Sequence, residues 1–402
     1  MIQKITSILL ILSLLILPGC WSRKELNELA VIVALGVDKY DDGYMVTAQV
    51  INPTEIGLQR GSIGATPVIV YSAPGETIPD ALQRILSQAP RQLYLSHLRV
   101  LVFGEELARE GLSDVLDYIS RNQELRTDFY LLVANGSQAS DVLKVLTPFE
   151  HIPANSLYSS ILVSNKQWAA TGRITLQQFV TELGREGANP VLSGVKIIGD
   201  KKVGRSIENL HKTEPDALLR HAGMAVFKKD KLVGWVDELM SKSVNYILNE
   251  VNTTVGHVRC PDPDDGIIGI RIVRASSDIK ARLDKNGKPE FDVVYFIDAD
   301  LEAVQCTIDL SKEESFRKIE QVIRKTMQST TETSVQQIQQ KFGSDVFGFG
   351  EALHRQHPKV WRKYRHQWGD VFPHVKVTID AKVSLRRVGS IIQPLRREMK
   401  DP

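Results

Sequence analysis

Cysteine is scarce in this chain, with only Cys20, Cys260 and Cys306 among 402 residues. So few cannot lace a small disulfide scaffold, and stability has to come from a buried apolar core. An excess of either charge is missing too. The 50 Lys and Arg nearly balance 48 Asp and Glu, a formal net charge of +2, so the global balance points to no polyanionic partner. Beyond residue 20, no apolar run approaches the roughly 20 residues that a spanning helix needs. What is present is globular in composition, 43% hydrophobic and 24% charged. About 380 residues after the first segment exceed one ordinary core and suit two or three domains.

The first segment, residues 1–19, differs from all of this. Lys4 gives it a positive start, and an apolar run from Ile5 to Leu17 is broken only by Thr6, Ser7 and Ser13. At about 1.5 Å per residue that run spans roughly 20 Å, short of the ~30 Å hydrocarbon core, so it reads as a signal peptide. It ends in Leu17-Pro18-Gly19-Cys20, which resembles the bacterial lipobox, with Pro18 where a small residue is usual. That resemblance implies an S-diacylglycerol, N-acylated Cys20 as the first mature residue. One acyl chain holds a protein marginally and two hold it stably, so the rest of the chain is expected on the outer face of the cytoplasmic membrane.

Hydrophobic periodicity then predicts an α+β architecture, divided at 20–136, 137–221 and 222–395 with the main boundary in the Gly-, Lys- and Asp-rich stretch 184–221. Leu29 to Asp38 and Tyr44 to Val50 flank Asp41-Asp42-Gly43 as a hairpin, which forbids a purely parallel sheet. Further strands are expected at Val68–Tyr71, Arg99–Phe103 and Phe129–Ala134, with helices beginning at Thr77 and Ser113. Residues 137–185 read as helical, followed by a short hairpin from Val195 to Val203 inside a boundary region. In the last third, Ser276–Leu283 and Phe291–Ile297 pair across Asn286-Gly287. Ser311 is placed as the cap of a long helix, Lys312 to Phe342, and an alternating strand runs from Val375 to Leu385. Cys260 and Cys306 could pair in an oxidising exterior. Cys306 alternates with Val304 and Ile308, however, and reads as a small buried strand residue, free rather than bridged.

No catalytic constellation assembles from these residues, so the chain reads as a non-enzyme without cofactor or metal. Ser277-Asp278-Ile279-Lys280 matches Ser-x-x-Lys but lies on a strand, where residues three apart face opposite sides. Asp262 to Gly266 lacks the spaced ligands of a calcium loop. His354 and His357, with His366 and His374 nearby, lack a ligand set at closed-site spacing. Gly348-Phe349-Gly350 lacks the rest of a dinucleotide loop. Trp361, Tyr364 and Trp368 form a helical stripe expected to face a core, leaving Arg355, Lys359, Arg362, Lys363 and Arg365 outside. An extracytoplasmic address argues against nucleic acid. His97 and Arg121 each adjoin a buried element and are open to a ligand role or to satisfying backbone groups.

Several islands of sequence carry a family resemblance. They are Gly19-Cys20-Trp21-Ser22-Arg23-Lys24-Glu25-Leu26-Asn27-Glu28-Leu29, Leu93-Tyr94-Leu95-Ser96-His97 and Asp117 to Arg126. Asp345-Val346-Phe347-Gly348-Phe349-Gly350 follows, then Pro358, Trp361, Trp368, Phe372 and Pro373. In order and spacing the chain resembles the Ger(x)C family, the lipoprotein C subunits of nutrient germinant receptors in endospore formers. The resemblance implies three α+β domains, no catalytic residues, a multi-spanning A subunit and a transporter-like B subunit as partners, and a place at the spore inner membrane. A solute-binding lipoprotein of a transporter is the alternative, and a cell-wall hydrolase a further one. The former favours two lobes of repeated βαβ units, against the hairpins and long helix here; the latter needs a catalytic set.

Overall fold

The computed structural model describes residues 25, 28–53, 65–261, 266–387 and 394. Cys20 and Asp262 to Asp265 lie outside the described residues. Strands β1 (Leu29–Tyr40) and β2 (Gly43–Ile51) form the opening hairpin, and β3 (Val68–Gly75) continues it. Asp41 takes the positive φ of 45° that its turn requires. Helix α1 (Ile78–Leu86) starts where the sequence indicates, with the Thr77 hydroxyl accepting from Asp80 N–H at 3.3 Å. Then come β4 (Gln92–Tyr94), β5 (Val100–Phe103), α2 (Glu105–Glu110), α3 (Ser113–Arg121) and β6 (Tyr130–Ala134). Helices α4 (Ala139–Leu143), α5 (Pro153–Gln167) and α6 (Leu176–Leu183) precede β7 (Val191–Gly199), β8 (Ala217–Lys228) and β9 (Lys231–Val236).

These nine strands make one mixed sheet in the order β3-β2-β1-β5-β6-β7-β8-β9, with β4 on β1. β1, β5, β6 and β7 are mutually parallel at its centre, and antiparallel strands close both sides. Such a centre needs cover on both faces. Leu82 and Ile85 of α1, Val115 and Ile119 of α3 and Phe179 of α6 cover one face; Val142, Leu143, Leu157 and Ile161 of α4 and α5 cover the other. The sheet runs unbroken past residue 137, and residue 222 falls within β8. Val195 does not open a hairpin with Val203. It lies in β7, whose partners are β6 and β8, and the return strand arrives only at Ala217.

The second lobe opens with α7 (Glu238–Ile247) and β10 (Thr254–Arg259), followed by β11 (Ile267–Leu283) and β12 (Pro289–Val304). Next are α8 (Glu313–Phe342), α9 (Phe349–Gln356), α10 (Pro358–Tyr364), α11 (Trp368–Val371) and β13 (Lys376–Arg387). The sheet order is β10-β11-β12-β13, antiparallel except for β13 on β12. The 30 residues of α8, about 45 Å at the usual rise, lay Ile319, Ile323, Val335 and Ile338 into the core. Its N-cap is Lys312, without a side-chain cap bond; Ser311 instead donates to Asp309 at 2.6 Å. Gly343 ends it in the left-handed region at φ 55°. This core also takes Val191, Met224, Val226 and Val236 from the first sheet, so the lobes share packed side chains.

Cys306 is not free. Cys260 and Cys306 form a disulfide with Cα atoms 5.8 Å apart. Both β10 and β12 pair with β11, and their ends converge opposite Ile267 and Ile268. The alternation around Cys306 reports its burial, at 1% exposure. It does not reveal that β12 stops at Val304 and delivers Cys306 to the end of β10.

Candidate functional site

The parallel strands β1, β5 and β6 end together, and their carboxyl ends bound a cleft of about 480 Å³. The chain leaves β1 toward β2 on one side and returns to β5 on the other. The cleft therefore sits at a reversal of strand order, where open sheets leave room for ligands. Asp38 from β1 is 3% exposed and accepts from Ala139 N–H at 2.7 Å and Ser140 N–H at 2.9 Å. Burial raises its carboxyl above the usual range, against the pull of those two donors. Gly104 ends β5 against it, and a Cβ there would meet Asp38 Oδ1 at 2.1 Å.

Glu105 accepts from Gly136 N–H at 2.7 Å, Trp235 Nε1 at 3.1 Å and Arg109 Nη2 at 2.6 Å. Burial works to raise this carboxyl, but the three donors outweigh it and hold it below its ordinary value. Asp141 binds Lys201 at 2.8 Å and also Arg205. Lys39, Glu106, Ser137 and Gln138 complete the lining, with no large apolar side chain among them. The Ser137 hydroxyl is shielded from solvent and has no hydrogen-bond partner among the described residues. Nothing in the sequence singled these residues out, because they come from three separate strand ends.

A second constellation joins the lobes. Asp345, 1% exposed, accepts from the N–H groups of Phe347, Gly348, Phe349 and Gly350 at 2.8–3.2 Å and from Trp368 Nε1 at 3.0 Å. Burial pushes its pKa up to about 6 while those donors pull it down. Its backbone carbonyl accepts from Asn189 N–H at 2.7 Å, and Trp361 Nε1 reaches Glu186 at 3.2 Å. Gly187 and Gly350 meet so closely that a Cβ on Gly350 would lie 2.6 Å from Gly187 Cα. This is structural chemistry: every partner of the carboxylate is an N–H donor, and no cavity opens onto its oxygens among the described clefts.

Residues weighed for other chemistry are dispersed. Ser277 donates to Ile247 O at 2.7 Å on β11. His354 stacks on Trp361, His357 bonds Ala281 O at 3.1 Å, and His366 accepts from Arg365. Among the described residues, no three His, Cys, Asp or Glu converge as metal ligands. Ser160 Oγ lies 2.8 Å from His221 Nε2, a serine–histidine contact that the sequence analysis missed. No carboxylate orients that ring, and burial lowers its pKa to about 4. Trp361 and Trp368 are buried as expected, although a 3₁₀ turn over Arg365–Gln367 divides their helix. The flanking cations are exposed.

Two family models match in tandem: the spore germination protein N-terminal domain over residues 22–197, and the spore germination B3/GerAC-like C-terminal domain over 222–389. The chain is 31% identical to spore germination protein KC of Bacillus subtilis (strain 168), over 100% of both proteins. The chain belongs to the Ger(x)C family. Spore germination protein B3 of the same organism is 23% identical, covering 94% of this chain and 96% of that protein. The crystal structure of the GerBC protein shares the fold, with a TM-score of 0.56 at 20% identity over 87% of this chain and 96% of that one. The island Gly19 to Leu29 lies mostly outside the described residues, and the later islands of the Ger(x)C resemblance now have physical roles. Asp345 to Gly350 caps and locks the lobe junction, while Arg121 is an exposed partner of Asp117 at 2.9 Å. His97 is exposed and packs edge-to-face on Tyr94.

Proposed function

We propose that this chain is the lipid-anchored C subunit of a nutrient germinant receptor. It works without catalysis at the outer face of the spore inner membrane, beside a multi-spanning A subunit and a transporter-like B subunit. The observation that carries this reading is the end-to-end identity of 31% with spore germination protein KC. The lipobox-like Leu17 to Cys20 supports the anchor, and the Cys260–Cys306 disulfide is in keeping with an oxidising exterior. A lipid tether confines the ectodomain beside membrane-embedded partners and raises its effective concentration, so modest contacts suffice for assembly.

Two experiments test the reading. In a spore former retaining only this receptor, deleting the gene should abolish or slow the response to its cognate nutrient. Germination triggered downstream by a cationic surfactant should be spared. An unchanged nutrient response would refute the receptor role. In cells lacking the partner subunits, Cys20→Ala should eliminate lipid labelling and release the protein; retention after a high-salt wash would refute the anchor.

A further inference from the structure

We infer that Arg99 and Arg173, with Tyr130 and Tyr158 between them, bind the phosphate of an anionic phospholipid headgroup and so hold the amino edge of the first sheet against the membrane. The site is built from neighbouring backbones. Arg99 N–H donates to Val33 O of β1 at 2.8 Å, Tyr130 N–H to Arg99 O at 3.0 Å, and Leu131 N–H to Ile174 O at 3.0 Å. Arg99 and Arg173 therefore flank the start of β6, and both are exposed. Tyr130, 7% exposed, stacks on Tyr158 of α5 with ring centroids 5.0 Å apart. The Arg99 guanidinium lies 5.1 Å from the Tyr158 ring centroid, and the Arg173 charge acts on the Tyr130 phenol.

Among the described residues neither guanidinium forms an ion pair, whereas Arg121 and Arg126 are held by Asp117 and Asp128. A guanidinium laid on an aromatic face keeps its in-plane N–H donors free, and two such forks match the oxygens of a phosphate. Stacking also fixes Arg99 before a ligand arrives, which lowers the ordering cost of binding. Position argues for a lipid as the source of that phosphate. β1 begins at Leu29, nine residues after Cys20, and its amino end belongs to the edge at which the parallel strands β5 and β6 also begin. Nine residues reach at most about 30 Å. Arg99 lies opposite Val33, only about 13 Å along β1 from Leu29. A lipid-anchored Cys20 thus keeps both arginines within reach of the headgroup plane, and the inference rests on the anchored reading for this geometry.

The test uses the full mature chain carrying Cys20→Ala, so that no acyl chain contributes. Co-flotation would compare vesicles of phosphatidylcholine with vesicles of an equimolar phosphatidylcholine and phosphatidylglycerol mixture at physiological ionic strength. The protein should float with the anionic vesicles and not with the zwitterionic ones. Arg99→Gln and Arg173→Gln should each weaken that binding about five-fold, and together about twenty-five-fold. Thermal midpoints should match the parent chain, since both side chains are exposed. Arg362→Gln with Lys363→Gln, which removes two exposed cations from the second lobe, should leave binding unchanged. No binding to anionic vesicles, equal binding to both kinds, or an equal loss in the Arg362 and Lys363 variant overturns the inference. So does arginine-dependent binding of soluble glycerol 3-phosphate, or of a hexaglutamate peptide, without vesicle binding; these outcomes would assign the site to a free phosphate or to an acidic protein segment. Lipid labelling of Cys20 and the germination phenotype of the deletion would stand whatever the vesicles show, so the two readings fail separately.

Discussion

Removing the Cys260–Cys306 bridge should cost the second lobe about 4 kcal/mol, a figure that follows from the 46-residue separation of the two cysteines. In the chain-entropy model, closing a loop of that length removes roughly 13 cal/mol/K from the unfolded ensemble, or about 4 kcal/mol at 25 °C. Both cysteines are buried, so Cys260→Ala with Cys306→Ala replaces the bridge by two small apolar groups and adds little desolvation cost. The assay is urea unfolding of a Cys20→Ala background, with and without a phosphine reductant, followed by tryptophan fluorescence. Trp361 and Trp368 sit in the lobe being tested and report its packing. The oxidised protein should unfold at a clearly higher urea midpoint than both the reduced protein and the double alanine variant. Titration of the denatured, unreduced protein should find no free thiol. Two free thiols, or superimposable curves in all three samples, would refute the bridge and the stability argument built on it.

Asp345→Ala strands five N–H donors without an acceptor and should cost at least about 3 kcal/mol; Asp345→Asn should not restore it, since an amide turns more donors toward donors. Full recovery in asparagine, measured by denaturant midpoint, would contradict this account. Gly350→Ala pushes a Cβ against the Gly187 backbone and should lower stability by about 2 kcal/mol, read as a fall in thermal midpoint. His221, lowered to about 4 by burial, binds fewer protons folded than unfolded between pH 4 and 6.5. Its contribution is complete above pH 6.5 and should fall by about 3 kcal/mol as pH drops toward 4, a slope that His221→Asn removes; equal slopes in the two proteins would count against it.

Much of the architecture was legible because local periodicity reports local geometry. The Asp41-Asp42-Gly43 turn, the Thr77 cap, the Asn286-Gly287 hairpin and the apolar stripe of α8 all encode their elements within a few residues. The Ser311 cap was misplaced by one residue, where Asp309 competes for the hydroxyl. Helix α10 also breaks before Trp368, although the stripe it shares with Trp361 is buried as its spacing indicates.

Longer-range features were not legible in this way. Cys306 looked like any small buried strand residue, since its partner is set by where β10 and β12 end against β11. Asp345 was visible as part of a recurring island, yet its task depends on Trp368 and Asn189 arriving from elsewhere in the chain. Asp38, Glu105, Ser137 and Asp141 become neighbours only because a parallel sheet gathers the ends of distant strands along one edge. The sequence by itself therefore determined most of the secondary elements, the α+β class and the family, which are carried by neighbouring residues or by ordered motifs; the strand that returns along β7 was not among them, since it begins only at Ala217. The disulfide, the lobe lock and the polar cleft were decided by the tertiary structure, because each is a meeting of groups whose separation along the chain carries no information about their separation in space.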